Sequence, residues 1–394
     1  MTTIWQAAHE LFPYTQALRR DFHQHPELGF QEVRTAGIVA RELRDLGLEV
    51  HTGIAQTGVV AIIEGAAEGP TVLARFDMDA LPIQEETGAA YASQTPGVMH
   101  ACGHDGHTAI GLTVARLLAA RAHQLRGRVK LVFQPAEEGL GGALRMVQEG
   151  VLENPRPDYA LALHLWNGWP VGRVGVTEGP AMAAAEMFRI TLRGKGGHAA
   201  IPHAAVDPVV AAAHLITALH TVVSRNVPAA EAGVLTVASV QAGQAPNVIP
   251  EQAEMQGTLR AFDTDVFTTL QQRLEELAYS IGRAFGVHVE VEHRDYSPAV
   301  VNDPAVARRV QAVVRRLWPE AEVITDYRTM GSEDMSWMMQ DIPGCYFFVG
   351  SADPGRGLDA PHHHPRFDFD ESVLPKAAAI MAAAIMDLLT ADEG

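Results

Sequence analysis

The sequence predicts a two-domain α/β protein: a mixed-sheet α/β domain split by an inserted domain of ferredoxin-like βαββαβ order. Three observations carry this. The chain has 394 residues, too many for one ordinary core. Between residues 58 and 165, short apolar runs alternate with one stretch of helical spacing. Near residue 184 the order of elements changes.

In the first region, residues 59–64 and 71–76 read as strands, 106–122 as a helix, and 128–133 and 158–163 as strands again. Apolar runs of this kind suit strands buried on both faces. In the second region, 187–193 reads as a strand, 206–224 as a helix, 234–240 and 254–262 as strands, 265–285 as a long amphipathic helix, and 287–293 as a strand. The boundaries expected are 1–183 for the first segment of the larger domain, 184–297 for the insertion, and 298–394 for the return. The return carries a helix at 304–318, a strand at 344–350 and a final helix.

Composition excludes several classes. Apolar residues make up 47% and charged residues 20%, ordinary for a soluble globular chain. The net charge of −17 repels a phosphate backbone, and no nucleic-acid-binding motif counters it, so no nucleic-acid partner is expected. The Ala-rich stretch 377–389 is too short to span a bilayer and contains Asp387, so no membrane partner is expected either. The N-terminal residues lack a signal-peptide layout, and only Cys102 and Cys345 are present. A reducing cytoplasm is the expected location.

The chemistry is concentrated in a few segments. Cys102 and His104 flank Gly103, which lets the backbone turn so that both side chains reach one ion. The surrounding glycines and Asp105 fit a core explanation poorly. Glu137 and Glu138 end an apolar strand and precede Gly139, Gly141 and Gly142. Adjacent side chains diverge, so one can ligate while the other serves as a base; the bland reading is two solvated charges. His164 ends an apolar run and is either a ligand or an ordinary core or surface histidine.

Other residues are more ambiguous. His362, His363 and His364 cannot all reach one ion, so one ligand with two bystanders is expected. Asp77 and Asp79 share a face of an extended segment. They either orient a ligand from behind or cap a turn. His198 follows a glycine-rich turn that lacks phosphate-binding spacing, which reads as a hairpin with an exposed imidazole. Asn247 lies in a Pro-flanked segment. Arg260 sits in a strand, where it is either solvated or holds a carboxylate.

Taken together, ordered motifs from residue 23 to 368 resemble a known family. They are His23-Gln-His-Pro-Glu-Leu-Gly29, Asp77-Met-Asp-Ala-Leu-Pro82, Met99-His-Ala-Cys-Gly-His-Asp-Gly-His107, Gln134-Pro-Ala-Glu-Glu-Gly139 and Ala162-Leu-His-Leu-Trp166. Gly194-Lys-Gly-Gly-His-Ala199, Ala245-Pro-Asn-Val-Ile-Pro-Glu251, Gly257-Thr-Leu-Arg260, Met330-Gly-Ser-Glu-Asp334 and His363-His-Pro-Arg-Phe-Asp368 complete the set. The chain resembles M20-type metallopeptidases of the amidohydrolase branch, which holds hippurate hydrolases, aminoacylases and auxin-conjugate hydrolases.

The resemblance implies a catalytic domain with two divalent metal ions per subunit and an inserted lid that also mediates assembly into a homodimer or homotetramer. Zinc or manganese would suit the ligands, with cobalt or nickel as alternatives. It implies Cys102, His104, Glu138, His164 and His363 as metal ligands and Glu137 as the general base. His198 would be the oxyanion donor, from its own or the partner's chain, and Asn247 and Arg260 would contact substrate. The implied reaction is hydrolysis of an N-acyl-L-amino acid, with dipeptidase or carboxypeptidase action as the alternative and a non-catalytic binding protein as the remaining one. Two departures stand out. Phe76 replaces a residue that is usually small, and His362 replaces a Leu before the last ligand. The spacing to Pro365 selects His363.

Overall fold

A computed structural model describes residues 2–390, which form two compact units. The first comprises 1–181, 301–328 and 334–394, and the second 182–300 with 329–333. The short segment 329–333 was expected with the closing stretch. It groups with the second unit because Ala183 N–H donates to the Gly331 carbonyl and the Arg260 guanidinium to the Met330 carbonyl.

The first unit is built on an eight-stranded mixed sheet. Its order is Glu49–Ile54, Gly58–Glu64, Arg126–Gln134, Ala67–Asp77, Tyr159–Pro170, Gly344–Ala352, Arg173–Gly175, Glu322–Ile324. The four central strands run parallel, and Gly58–Glu64 beside them runs antiparallel. Parallel strands need both faces covered. Helix His104–Ala119 and the almost wholly buried helix Leu374–Leu388 contribute to that cover. Register decides which residues meet. Asp77 pairs with Gln134, and Arg75 pairs with Ala162, so Asp77 and His164 lie level two residues further on. His164 is not at a strand end, as the apolar run implied. The strand continues to Pro170 because Gly344–Ala352 pairs along its length.

Phe76 is fully buried, and its ring centroid lies 5.5 Å from that of Phe133. Room for it comes from the facing helix, where Gly111 stands. A Cβ there would lie 2.6 Å from Phe76 Cγ. The bulky residue and the absent side chain are therefore complementary.

The second unit has a four-stranded antiparallel sheet ordered Gly233–Ala242, Gln252–Ala261, Ala184–Arg193, His288–Ser297. Helices Pro208–Leu219 and Thr264–Phe285 pack against it around a core containing Phe188, Ile190, Leu215, Leu259 and Leu270. Along the chain this is β-α-β-β-α-β, the ferredoxin-like order. The helix expected over 206–224 is two shorter helices, with Asp207 capping the first at Pro208. The long helix starts on the Asp263 cap and stops at Gly286, whose φ of +73° ends it. Among the described residues, no helix is long and apolar enough to cross a membrane.

The Phe76–Gly111 fit is testable by thermal and denaturant unfolding. Phe76→Ala should cost about 3–5 kcal/mol through the cavity it leaves. Gly111→Ala should cost about 1–3 kcal/mol through overpacking. The double variant should lose less than the sum, because the overpacking depends on the ring.

Candidate metal centre

The centre is assembled from loops and a helix start around one end of the central parallel strands. Asp77 ends its strand, and Asp79 follows two residues later. Gln134 ends the next strand, and a turn through Ala136 (φ +55°) presents Glu137 and Glu138. That turn closes tightly. A Cβ on Gly142 would lie 1.8 Å from the Pro135 carbonyl oxygen, so only glycine fits. Gly103 (φ +92°) turns the chain into helix His104–Ala119, and Cys102 lies just before it.

Two donor groups share one atom. Cys102 Sγ, His104 and His164 form one group, and Cys102, Glu138 and His363 form another, with ligand atoms within 4.8 Å of each other in each. His164 Nε2 lies 3.5 Å from Cys102 Sγ, and His363 Nε2 lies 3.2 Å from Glu138 Oε1. His104 and the two glutamates also meet within that distance. The five residues singled out as ligands are thus together, with Glu137 beside them.

Tautomers favour ligation. His164 donates Nδ1–H to the Leu165 carbonyl at 2.7 Å, which turns the Nε2 lone pair toward the thiol. His104 Nδ1 is 3.0 Å from the Asp79 carbonyl and 3.1 Å from its carboxylate. Among the described residues, His104 Nε2 is buried with no hydrogen-bond partner. A buried polar atom left unmatched in this way, next to a thiol and two more imidazoles, fits divalent cations. The residues therefore fit the group.

Electrostatics agree. Burial opposes the imidazolium of His104, yet the Asp77 carboxylate and the Asp79 hydrogen bond hold its pKa well above the ordinary value. The contacts with Cys102 and Glu138 raise His363 to about 10. Burial and Glu138 together raise the Cys102 thiol, and burial holds His164 neutral. Without cations the cluster therefore holds protons where a metal would bind, and binding must expel them.

Of the three consecutive histidines, His363 faces the donors and takes φ +65° to do so. His362 Nε2 accepts from the Asn167 N–H at 3.1 Å, and its ring lies 4.9 Å from that of Trp166. His364 Nδ1 accepts from the Arg366 N–H within its own turn. Asp79 serves two of these donor residues at once, since its second oxygen accepts the Glu138 N–H at 2.9 Å. Asp77 is placed differently: it contacts His107 Nδ1 at 2.7 Å and Arg75. His107 Nε2 accepts from the Leu165 N–H, so both of its nitrogens are occupied.

Several positioning residues were not legible in the sequence. Glu32 is fully buried and accepts the Ala136 N–H and the Thr57 hydroxyl, which fixes the turn before Glu137. Arg19, also fully buried, ties Asp105 beside His104 to Asp368 beyond His363, at 2.8 and 2.7 Å. Arg19 sits in an Arg-Arg pair that looks solvated, and Glu32 looks like a helix-surface acid. Charge pairing inside a core could have signalled Arg19, whereas Glu32 is held only by a hydroxyl and a backbone N–H.

His198, Asn247 and Arg260 lie in the second unit, outside this cluster. His198 is exposed on a two-residue strand opposite Val248, and the Ala199 N–H donates to the Asn247 carbonyl, so these two segments adjoin. Arg260 is half-buried near the end of its strand, with its guanidinium on the Met330 carbonyl.

Fold and donor set together define a hydrolase of the metal-dependent type, and comparison with known proteins places it. Residues 73–387 match the model for peptidase family M20/M25/M40, and the chain belongs to that family. It is 38% identical over 378 residues to N-acetyl-L-cysteine deacetylase of Bacillus subtilis, covering 95% of this chain and 88% of that protein. It is 37% identical over 365 residues to thermostable carboxypeptidase 1 of Saccharolobus solfataricus, covering 92% of each. A solved Bacillus subtilis structure, described as a dinuclear metal binding peptidase of the M20 family, matches with TM-score 0.83 and 34% identity over 97% of this chain and 99% of that one. The chain is a metal-dependent amidohydrolase acting on linear amides.

Three outcomes follow for metal binding. Asp79→Ala should weaken divalent-metal affinity about 10–100-fold in a calorimetric titration, because two ligands lose their support. His363→Ala should lower the bound metal by one equivalent, whereas His362→Ala should retain it. Affinity should also rise with pH between 7 and 10, with proton release measurable from the buffer dependence of the heat, because His363 must lose a proton to ligate.

Proposed function

We propose that the enzyme hydrolyses N-acyl-L-amino acids to a carboxylic acid and a free amino acid. The observation that carries the chemistry is Cys102 Sγ, common to both donor groups, with Glu137 beside the ligand Glu138. The acyl-amino-acid reading is supported by the likeness to a protein named as an N-acetyl-L-cysteine deacetylase. In this reading Cys102, His104 and His164 hold one cation and Cys102, Glu138 and His363 the other. Zinc or manganese is the proposed pair.

When bound, divalent cations acidify water toward neutrality and polarise an amide carbonyl. Glu137 accepts the proton of the attacking water and delivers it to the departing amine, which would otherwise leave as an unstable anion. Asp79 holds His104 and Glu138 in place, so little reorganisation is needed during the reaction. His198 donates to the developing oxyanion, from its own chain or a partner's, and Arg260 with Asn247 binds the free carboxylate of the substrate. Assembly as a homodimer or homotetramer and a cytoplasmic location complete the proposal. Peptide hydrolysis from the C-terminus is the second reading, favoured by the likeness to a protein named thermostable carboxypeptidase.

A panel of N-acetyl- and N-benzoyl-amino acids and dipeptides, assayed with and without chelator, separates these readings. N-acyl amino acids should be cleaved, chelator should abolish cleavage, and added metal should restore it. Cleavage of dipeptides alone would establish the peptidase instead. Glu137→Gln should keep both metals while lowering kcat about 100- to 10,000-fold. A variant of near-normal turnover would remove Glu137 from the role of base.

A further inference from the structure

Beside the cluster, within the first unit, lies a cavity of about 500 Å³. Its walls are Trp166, Trp169 and Tyr327, with His362 on one side and Asp359 among the exposed lining residues. Trp169 and Tyr327 have ring centroids 4.5 Å apart and Trp166 and Tyr327 5.9 Å apart, while buried Phe348 packs 4.9 Å from Trp166 and 5.4 Å from Tyr327. Glycines allow this density. A Cβ at Gly175 would lie 2.8 Å from the Trp169 ring, and one at Gly168 2.9 Å from Trp166 Nε1.

The cavity is one ring away from the shared thiol. His362 Nδ1 is 3.9 Å from Cys102 Sγ, and the His362 ring centroid lies 5.1 Å from that of His164. A substrate held at the donor cluster thus has this cavity next to it.

The lining has a definite charge preference. Among the described residues, no Lys or Arg lines it. Nearby carboxylates are matched: Glu322 with Arg173 at 2.8 Å and Asp370 with Arg356 at 3.2 Å. Asp359 has neither an ion pair nor a side-chain hydrogen bond among the described residues. Aromatic faces are electronegative, and a carboxylate beside them adds to the attraction for a cation.

We propose that this cavity is a subsite for a positively charged group, an ammonium or guanidinium, carried by the substrate next to the scissile amide. The proposal rests on the acyl-amino-acid reading for the identity of the substrate, though not for the binding of the cation. Trp166, Trp169 and Tyr327 enclose the alkyl stem and face the charge, and Asp359 neutralises it at the rim.

The test uses the metal-loaded enzyme and two independent measurements. In the first, n-butylammonium is titrated against tryptophan fluorescence. Saturable quenching is expected in the wild type, about tenfold weaker in Asp359→Asn and restored in Asp359→Glu. In the second, kcat/KM is compared for Nα-acetyl-lysine against Nα-acetyl-norleucine, and for 6-aminohexanoyl-glycine against hexanoyl-glycine. An advantage of about tenfold for the amine is expected in one pair, identifying which side of the amide enters the cavity. Asp359→Asn should erase that advantage and leave the uncharged substrates unchanged. Ammonium binding without cleavage of any acyl amino acid would support the subsite while refuting the substrate reading. Absence of ammonium binding, or an amine preference that survives Asp359→Asn, would overturn the subsite.

Discussion

The Asp79 carboxylate is the constraint on which the centre depends. One oxygen accepts from His104 Nδ1–H and the other from the Glu138 N–H. These groups come from two loops with no local reason to approach each other, and a single rigid anion sets their separation. Removing a carboxylate from water costs several kcal/mol, and its hydrogen bonds only partly offset that cost. Such an expense is understandable where it fixes ligand geometry. Behind it, Glu32 holds the turn before Glu137 and Arg19 joins the helix start to the segment after His363. The centre therefore stands on a layer of buried polar groups, each held by hydrogen bonds or an ion pair.

Neighbouring groups set the protonation pattern. Against burial, Asp77 and Asp79 raise His104, while Cys102 and Glu138 raise His363, so both imidazoles hold protons in the absence of a cation. The thiol, raised by burial and Glu138, does the same. A divalent cation relieves each of these conditions at once. The protons held in the cluster thus express one requirement, that positive charge be present at this place.

The legible and illegible parts divide along physical lines. Cys102 and His104, two apart across a glycine, must be near each other whatever the fold, and Glu137 and Glu138 are adjacent by covalency. These were readable. His164 was readable only as an ambiguous histidine, because its partnership with Cys102 depends on strand register. Among His362, His363 and His364 the spacing selected one, and backbone conformation supplies the reason: His363 takes a left-handed φ toward the donors, while Asn167 engages His362. Phe76, a departure in sequence terms, is ordinary once Gly111 is seen facing it.

By itself the sequence determined the class of chemistry, the two-unit organisation and most of the donor set, since these follow from local residue pairs and from periodicities set by the pitch of helices and strands. Tertiary structure alone decided what lies around them. It made Asp79 a double support rather than a turn cap, set Arg19 and Glu32 inside rather than on the surface, and gathered Trp166, Trp169, Tyr327 and Asp359 into one cavity. Those outcomes depend on contacts between segments from 25 to 349 residues apart. Close packing and the matching of buried charge settle such contacts, and neither leaves a local mark in the chain.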